Sequence, residues 1–536
     1  PPYQQPTTNN PMNKLLTSVL CGLVGISTVA MADPTRPRLV VGIMVDQLRT
    51  DYIDFLSERF GKEGFNLLKS RGLYLKNVDY NVKDLDIVSS TAIVYTGNYA
   101  SASGIPADKV YDPASKYPRP ILHDPSTLGN FTNETYSPTG LRLSTLSDEL
   151  AVDGAGLGAI YSIAPDPMQA IIMAGHAGSS AFWISDENGK WATTTYYKEV
   201  PNAVSQRNYQ RPLAQRLDTM VWTPSKALDS YHGVPAQKKY FPFRHTFPKK
   251  SSDRYVKYKS SALVNTEVTD LAIDYIKSLG LGQRGDVIDM LNVGYTVAPY
   301  KYSSDADKRL EMQDSYLRLD GQLERLIGAI KESVGLDNTL VFLVSTGYYD
   351  EGAEDEPRYR IPTGTFSMKR ATSLLNSYLS AKHGNDQYVD GSFRNMIYLD
   401  RQTLERKGLD LAEVSRDARD FVVMMSGVAD VKSLADIVGE TTPDLRRIGR
   451  GLDPKLAGDL RLEFAPGWTV NDDVRLPVLT WQVREGNPAT PAFIMGPGIP
   501  VKIESGEVNA SAIAPTVSSV MRIRSPNGAA DKPLIW

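Results

Sequence analysis

A small set of side chains in this sequence is of the type that hydrolytic chemistry uses. Asp46 ends the apolar run at residues 38–46 (RLVVGIMVD), and an acidic run begins at residue 350. The carboxylates that could share one metal ion are Asp46, Asp350 and Glu351, and the hydroxyls that could act as nucleophile are Ser89, Ser90 and Thr91. Carboxylate ligands would favour Mg²⁺, Mn²⁺ or Ca²⁺ over zinc. The alternative interpretation is structural: Asp46 caps a strand or helix end, and residues 350–356 (DEGAEDE) form a solvated loop.

Histidine and cysteine, the usual zinc ligands, are scarce. The chain of 536 residues contains one cysteine, Cys21, and five histidines, which are His123, His176, His232, His245 and His383. A single cysteine excludes an internal disulfide and a cysteine-based metal cluster. Apart from His176, the histidines lie in polar stretches, so we expect them at the surface.

The elements that must position these residues indicate an α/β fold. Buried strands are predicted at residues 38–46, 286–292 and 339–345, with amphipathic helices at 265–279 and 310–334 between them. This alternation predicts a large, mostly parallel central sheet with helices on both faces. Two regions interrupt the alternation. Residues 202–260, rich in Pro, Lys, Tyr and Gln, are predicted to be a surface excursion, and residues 352–484 are predicted to be an inserted smaller α+β subdomain.

The N-terminal region has the pattern of an export signal. Residues 1–11 are polar and proline-rich, and residues 12–32 combine a short basic start, an apolar stretch and an Ala-Met-Ala cleavage pattern. We therefore expect residues 33–536 to be the mature domain, exported to the periplasm or to the outer membrane, without a transmembrane segment. Cys21 is expected to leave with the signal rather than to carry a lipid. The near balance of 59 basic and 62 acidic residues argues against a nucleic-acid binder.

Short motifs spread from residue 38 to the C-terminus resemble the alkaline phosphatase superfamily, in its exported bacterial branch related to type I phosphodiesterases and nucleotide pyrophosphatases. The matching segments are 41–49 (VGIMVDQLR), 95–97 (YTG), 103–105 (SGI), 175–177 (GHA), 314–320 (DSYLRLD), 493–496 (FIMG) and 525–528 (SPNG). The resemblance implies an alkaline-phosphatase-like fold. It also implies a two-zinc site in which two cations activate a Thr or Ser nucleophile and stabilise the leaving oxygen.

Most positions that this resemblance assigns to the zinc site have changed. Asp46 is retained, but Ile87 stands at the nucleophile position, nine residues before Thr96. Residues 293–300 (VGYTVAPY) lack the Asp and His expected there, and Thr346-Gly347-Tyr348 replaces Asp-His-Gly. The last expected histidine is missing because none follows His383.

The phosphate-binding side differs as well. Asp166 and Met168 stand where the exported phosphatases have a Lys-x-Arg pair, and an Asp there would repel a phosphate dianion. His176 lies in the Gly-His-Ala turn, which the family keeps without using it as a zinc ligand, so we expect a structural role for it.

These departures predict a catalytically inactive, alkaline-phosphatase-like protein with no cofactor and no zinc site. It would bind or support protein partners in the cell envelope. The alternative is a metal-dependent phosphomonoesterase or phosphodiesterase with a rebuilt site, which would use the carboxylates and hydroxyls named first. A third possibility, glycan binding through the aromatic-rich excursion, rests on composition alone.

Overall fold

The apolar runs of the sequence form a central sheet in the computed structural model. The structure describes residues 36–234, 236–285, 287–304, 306–349, 363–474, 479–483 and 488–534. The strands are β1 (Leu39–Asp46), β2 (Leu73–Asp79), β3 (Lys109–Asp112), β4 (Tyr117–Pro120), β5 (Gly129–Asn130), β6 (Ile160–Ala164), β7 (Ser180–Ile184), β8 (Trp191–Thr194), β9 (Val221–Trp222), β10 (His245–Thr246), β11 (Asp289–Thr296), β12 (Thr339–Ser345), β13 (Thr365–Ser367), β14 (Val389–Phe393), β15 (Met396–Leu399), β16 (Val428–Ser433), β17 (Leu460–Phe464), β18 (Thr469–Asp472), β19 (Leu479–Gln482), β20 (Ala492–Met495) and β21 (Lys502–Asn509). The predicted signal segment, residues 12–32, lies outside the described residues.

Helices lie on both faces of this sheet and also around the smaller sheets described below. They are α1 (Thr50–Phe55), α2 (Phe65–Arg71), α3 (Ile87–Thr96), α4 (Ala100–Ser103), α5 (Leu146–Asp153), α6 (Pro167–Ala174), α7 (Asn202–Tyr209), α8 (Leu213–Arg216), α9 (Arg254–Lys259), α10 (Val264–Ser278), α11 (Lys308–Ser333), α12 (Met368–His383), α13 (Arg401–Lys407), α14 (Leu411–Val422), α15 (Leu434–Gly439), α16 (Pro443–Arg450) and α17 (Ile513–Met521). Among the described residues, no helix is both long and apolar enough to cross a bilayer.

The central sheet has the order β21-β2-β20-β12-β1-β11-β6-β7-β8-β5. Its middle strands, from β12 to β7, run parallel to one another, whereas β20 and β8 are antiparallel to their neighbours. The predicted α/β fold with a mostly parallel sheet is confirmed. Because the middle strands are parallel, their carboxyl ends lie along one edge of the sheet, which is where such folds place their functional residues.

Alternate residues of β1 face opposite sides of the sheet and enter two separate cores. Val41, Ile43 and Val45 belong to the core that α10 and α11 cover, whereas Val40 and Met44 belong to the core that α3, α6 and α17 cover. Burial on both faces explains why this strand is a continuous apolar run in the sequence.

The chain between β12 and β20 forms smaller sheets of its own. Strands β14, β15, β17 and β16 form an antiparallel sheet. Strands β13, β18 and β19 form a mixed sheet, in which β13 runs parallel to β18 and β19 runs antiparallel to it. Helices α12 and α14 cover the first sheet and share a hydrophobic core with it. The boundaries of the predicted subdomain, residues 352–484, remain a prediction, because residues 350–362 and 484–487 lie outside the described chain.

The predicted surface excursion is partly packed into the main core. Trp222, Phe243 and Phe247 are buried there together with residues of α10 and α11. Other parts of residues 202–260 stay on the surface, as expected from their polar composition.

Candidate functional site

The candidate site lies where β1 and β12 end and α3 begins. Asp46 is the last residue of β1, and Thr346 directly follows β12. Gln47 has a φ of 59°, so the chain turns sharply after Asp46. This turn sets the backbone N–H of Gln47 within 2.8 Å of the Thr346 hydroxyl, which accepts a hydrogen bond from it.

The carboxylate of Asp46 is engaged by two hydroxyl groups. Thr346 donates to its Oδ1 over 3.1 Å, and the Tyr348 hydroxyl donates to the same oxygen over 2.8 Å. Both donors come from the segment that stands in place of the family's Asp-His-Gly. Hydrogen bonds to the ionised form of a carboxylate stabilise that form.

Only one of the three candidate nucleophiles reaches this loop. The hydroxyl of Ser90 donates to the carbonyl of Thr346 over 2.6 Å, so Ser90 and Asp46 contact the same residue. Ser89 forms a capping box with Asp86 at the start of α3, and Thr91 donates to the carbonyl of Ile87 over 2.6 Å. The other proposed metal ligands, Asp350 and Glu351, lie outside the described residues.

The start of α3 is covered by an arginine from the smaller sheets. Arg394, in the turn between β14 and β15, places Nη2 2.6 Å from Asp108 and 3.2 Å from Asp86, which caps α3. Burial raises the pKa of Asp108, and the charge of Asp86 adds to that effect while Arg394 opposes it. The N-terminus of a helix can attract an anion. At α3 this place is already taken by the carboxylate of Asp86, which is paired with Arg394.

Two residues stand at the position that the resemblance assigns to phosphate binding, and both contribute to local structure instead. Asp166 caps α6 by accepting from the backbone N–H of Gln169 over 2.9 Å, and Met168 is buried in the core. Burial raises the pKa of Asp166 from 3.8 to about 6. A partly desolvated acid without a neighbouring guanidinium is a poor binder of phosphate.

Aromatic and amide side chains fill the space around the ends of β11 and β12. Tyr295 is buried with its hydroxyl 2.8 Å from Thr269, and burial raises its pKa above the usual range. Tyr80 donates to the carbonyl of Ser345 and lies against Gly347, where a β-carbon would collide with its ring. Gly347 also has a φ of 77°, a conformation that favours glycine.

Asn292, in the middle of β11, faces the opposite side of the sheet from Tyr295 and was not singled out from the sequence. Its side chain accepts from the Tyr95 hydroxyl over 2.8 Å and donates to the carbonyl of Met173 over 2.9 Å. An Asn in the middle of an otherwise apolar strand is the sequence signal for such a buried polar contact.

Three of the histidines lie within hydrogen-bond distance of a carboxylate. His176 lies between Asp148, 2.9 Å away, and the carbonyl of Leu141, and the hydrogen bond to Asp148 raises its pKa. The surface positions predicted for His245 and His383 are wrong. Their rings are largely withdrawn from solvent because each is paired with a carboxylate, Glu311 at 2.6 Å and Asp417 at 2.9 Å respectively. His123 and His232 are exposed, as predicted.

These residues do not fit a two-zinc centre. Within the described part of the chain, no group of three or more His, Cys, Asp or Glu side chains converges on one point. At the strand ends, Asp46 is accompanied by Thr346 and Tyr348, whose hydroxyls are poor ligands for zinc beside imidazole, thiolate and carboxylate.

A polar cavity of about 550 Å³ opens beside the same loop. Gly347 and Tyr80 form part of its lining, together with Asp79, Glu507 and Arg447. Arg447 is 3.0 Å from Asp79, so the cavity presents both signs of charge. Its size and polarity could accommodate a small polar ligand.

Comparison with known proteins places this geometry in context. A family model described as type I phosphodiesterase / nucleotide pyrophosphatase matches residues 40–478. Alkaline phosphatase PhoV of Synechococcus elongatus is 26% identical, over 93% of this chain and 92% of its own. Alkaline phosphatase PafA of Elizabethkingia meningoseptica is 28% identical, over 96% and 98%. A crystal structure of alkaline phosphatase PafA aligns with a TM-score of 0.79 at 25% identity, covering 93% of this chain and 98% of that one. The similarity therefore extends over nearly the whole length of these proteins.

Proposed function

Because the chain belongs to the type I phosphodiesterase / nucleotide pyrophosphatase family, with an alkaline-phosphatase-like fold, we propose that it is a member that has lost catalysis. Its role is to bind or support partners in an assembly of the cell envelope. It needs no cofactor, and it acts after export, in the periplasm or at the outer membrane.

The observation that carries this proposal is the environment of Asp46. Its carboxylate is bonded to the hydroxyls of Thr346 and Tyr348, which stand where the resemblance implies an Asp-His-Gly ligand segment. A catalytic zinc needs about three protein ligands, and one carboxylate cannot hold it. The start of α3, where the nucleophile would stand, supports the same conclusion, because its backbone N–H groups are bonded to Asp86, which is itself paired with Arg394.

The cavity beside Gly347 supports a binding role. It lies at the sheet edge where the fold places ligands, and it is lined by groups of both charges rather than by a cluster of cations. Such a lining suits a polar ligand better than a phosphate dianion.

A second candidate function is hydrolysis of phosphate esters at a rebuilt site. Two relatives are named alkaline phosphatases, and Ser90 approaches the loop that holds Asp46. In that case Asp46, with Asp350 and Glu351, would bind a single Mg²⁺, Mn²⁺ or Ca²⁺ ion, and Ser90 would be the preferred nucleophile over Ser89 and Thr91.

Metal content and hydrolysis distinguish the two candidates. The purified protein should contain less than one zinc per chain by elemental analysis. It should not hydrolyse p-nitrophenyl phosphate or bis-p-nitrophenyl phosphate with zinc, magnesium, manganese or calcium added. The PafA enzyme assayed in parallel verifies the conditions. Turnover that disappears in both Asp46→Asn and Ser90→Ala, but persists in Ser89→Ala, would establish the rebuilt site and reject our proposal.

A further inference from the structure

The excursion at residues 202–260 is strongly basic, although the chain as a whole is slightly acidic. It contains twelve Lys or Arg residues and three Asp or Glu residues, although the whole protein has a net charge of −3. Between residues 230 and 252 there is no acidic residue at all. A basic segment on an otherwise acidic protein creates a local positive potential that attracts anionic partners.

Within the excursion, residues 240–250 form a loop that we call the aromatic loop. Phe243 and Phe247 are buried in the main core. His245 is paired with Glu311 at 2.6 Å, and its strand, β10, pairs with β9. These contacts hold the loop against the rest of the protein, and they therefore determine which of its side chains are exposed.

The aromatic loop exposes large apolar rings at its tip. The exposed fractions of Tyr240 and Phe241 are 81% and 79%. Tyr302 is exposed as well, and its ring is 5.5 Å from the buried ring of Tyr300. Adjacent exposed rings on a soluble domain mark a contact surface rather than ordinary surface composition.

The cations of this loop are available for an external partner. Arg244, Lys249 and Lys250 are exposed, and among the described residues no carboxylate lies within 4.0 Å of their charged nitrogens. Lys238, just before the loop, differs because it is paired with Asp307 at 2.6 Å. Exposed cations without intramolecular partners cost little to transfer to an anionic surface.

We propose that the aromatic loop binds the surface of an anionic lipid bilayer, with Tyr240 and Phe241 entering the headgroup region and Arg244, Lys249 and Lys250 contacting lipid phosphates. Aromatic side chains favour the boundary between headgroups and acyl chains, and lysines nearby add electrostatic attraction. The proposal does not depend on whether the candidate site is catalytic.

A lipid surface explains the aromatic loop better than a soluble polyanion does. A polyanion would need only the cations, whereas the two most exposed aromatic side chains of the described chain lie in the same loop as these cations. A bilayer presents both an anionic plane and an apolar layer beneath it, and therefore satisfies both features at once.

Vesicle binding tests this inference with the purified protein. Binding is measured by co-sedimentation with phosphatidylcholine vesicles and with vesicles that also contain about 30 mol% phosphatidylglycerol. We expect binding to the anionic vesicles only, weakening as salt is added. Lys249→Glu/Lys250→Glu should weaken binding about tenfold or more, because each lysine near an anionic surface contributes about fivefold. Tyr240→Ser/Phe241→Ser should weaken it by a similar factor, including at high salt.

Matched variants control for charge and for apolar area. Lys62→Glu/Lys455→Glu makes the same charge change, and Tyr117→Ser/Leu128→Ser removes the same kind of exposed side chain, both at exposed positions elsewhere. These variants should bind as the unchanged protein does. The inference is overturned if the protein ignores anionic vesicles, if loop and control variants behave alike, or if heparin binds while the aromatic pair has no effect on vesicle binding.

Discussion

At the scale of single residues, the most informative position is Asp166. In the family pattern a cation stands there, whereas here a partly buried carboxyl caps α6 and has a pKa of about 6. The folded chain therefore holds a proton on Asp166 more tightly than the unfolded chain does. Stability from this group is complete below the ordinary pKa near 4 and is lost as the pH rises to about 6, because the folded state must then carry the desolvated charge.

Asp166→Asn should stabilise the protein at neutral pH. Asparagine caps a helix as well as aspartate does, so the hydrogen bond to Gln169 remains while the buried charge is removed. We expect the free energy of unfolding at pH 7.5 to rise by about 1–2 kcal/mol, after allowing for partial exposure. The gain should shrink as the pH approaches 4, as followed by urea unfolding. Asp410→Asn, at the solvent-exposed cap of α14, is the control. An equal gain in both variants would contradict the burial argument.

At the scale of elements, ion pairs join the smaller sheets to the main body around α3. Arg394 pairs with Asp86 and Asp108, and Arg461 of β17 pairs with Asp84 at 2.7 Å. These aspartates lie in the segment that leads into α3 or in the loop beside it. The position of α3 therefore depends on a distant part of the chain, and its first turn is held by charge rather than left open to an anion.

Replacing Arg394 with methionine should loosen this junction. Asp86 and Asp108 would face each other without their shared cation, so we expect the free energy of unfolding at pH 7 to fall by about 1–2 kcal/mol. The deficit should decrease toward pH 5, because the raised pKa of Asp108 means that its negative charge is lost more readily as the pH falls. Chemical denaturation at both pH values measures it.

The control for this variant is Arg370→Met, an exposed arginine of α12 in the same part of the chain. It should change stability by less than about 0.5 kcal/mol. A loss that is the same at pH 5 and pH 7 would argue against repulsion between Asp86 and Asp108 as its cause.

At the scale of the whole molecule, the fold was predictable from the sequence because it depends on repeated patterns. Continuous apolar runs such as β12, predicted at residues 339–345 and found there, mark strands buried on both faces. The order of the motifs also indicated which positions around Asp46 differ from the family pattern. What those residues do instead could not be derived from the sequence. The bonds from Thr346 and Tyr348 to Asp46 join positions 300 residues apart, and the Arg394 contact comes from a turn far along the chain.

A binding or supporting role also predicts a stoichiometric companion. The protein carrying an affinity tag, purified from its own cell envelope after mild solubilisation, should recover a partner at a fixed ratio, measured by quantitative mass spectrometry. A fixed ratio is expected because a protein that acts by binding, rather than by catalysis, has its effect only while it is bound to its partner. An untagged strain and a tagged exported protein of similar abundance are the controls. Recovery of the chain alone, with enzymatic turnover, would contradict this role.

The contact between Gly347 and Tyr80 has an evolutionary consequence. The missing histidine of the Asp-His-Gly segment corresponds to Gly347, where any side chain would meet the Tyr80 ring and would need a left-handed backbone. A histidine at this position would therefore need both a different backbone conformation and a smaller side chain at residue 80. Gly347 and Tyr80 are accordingly expected to change together rather than one at a time.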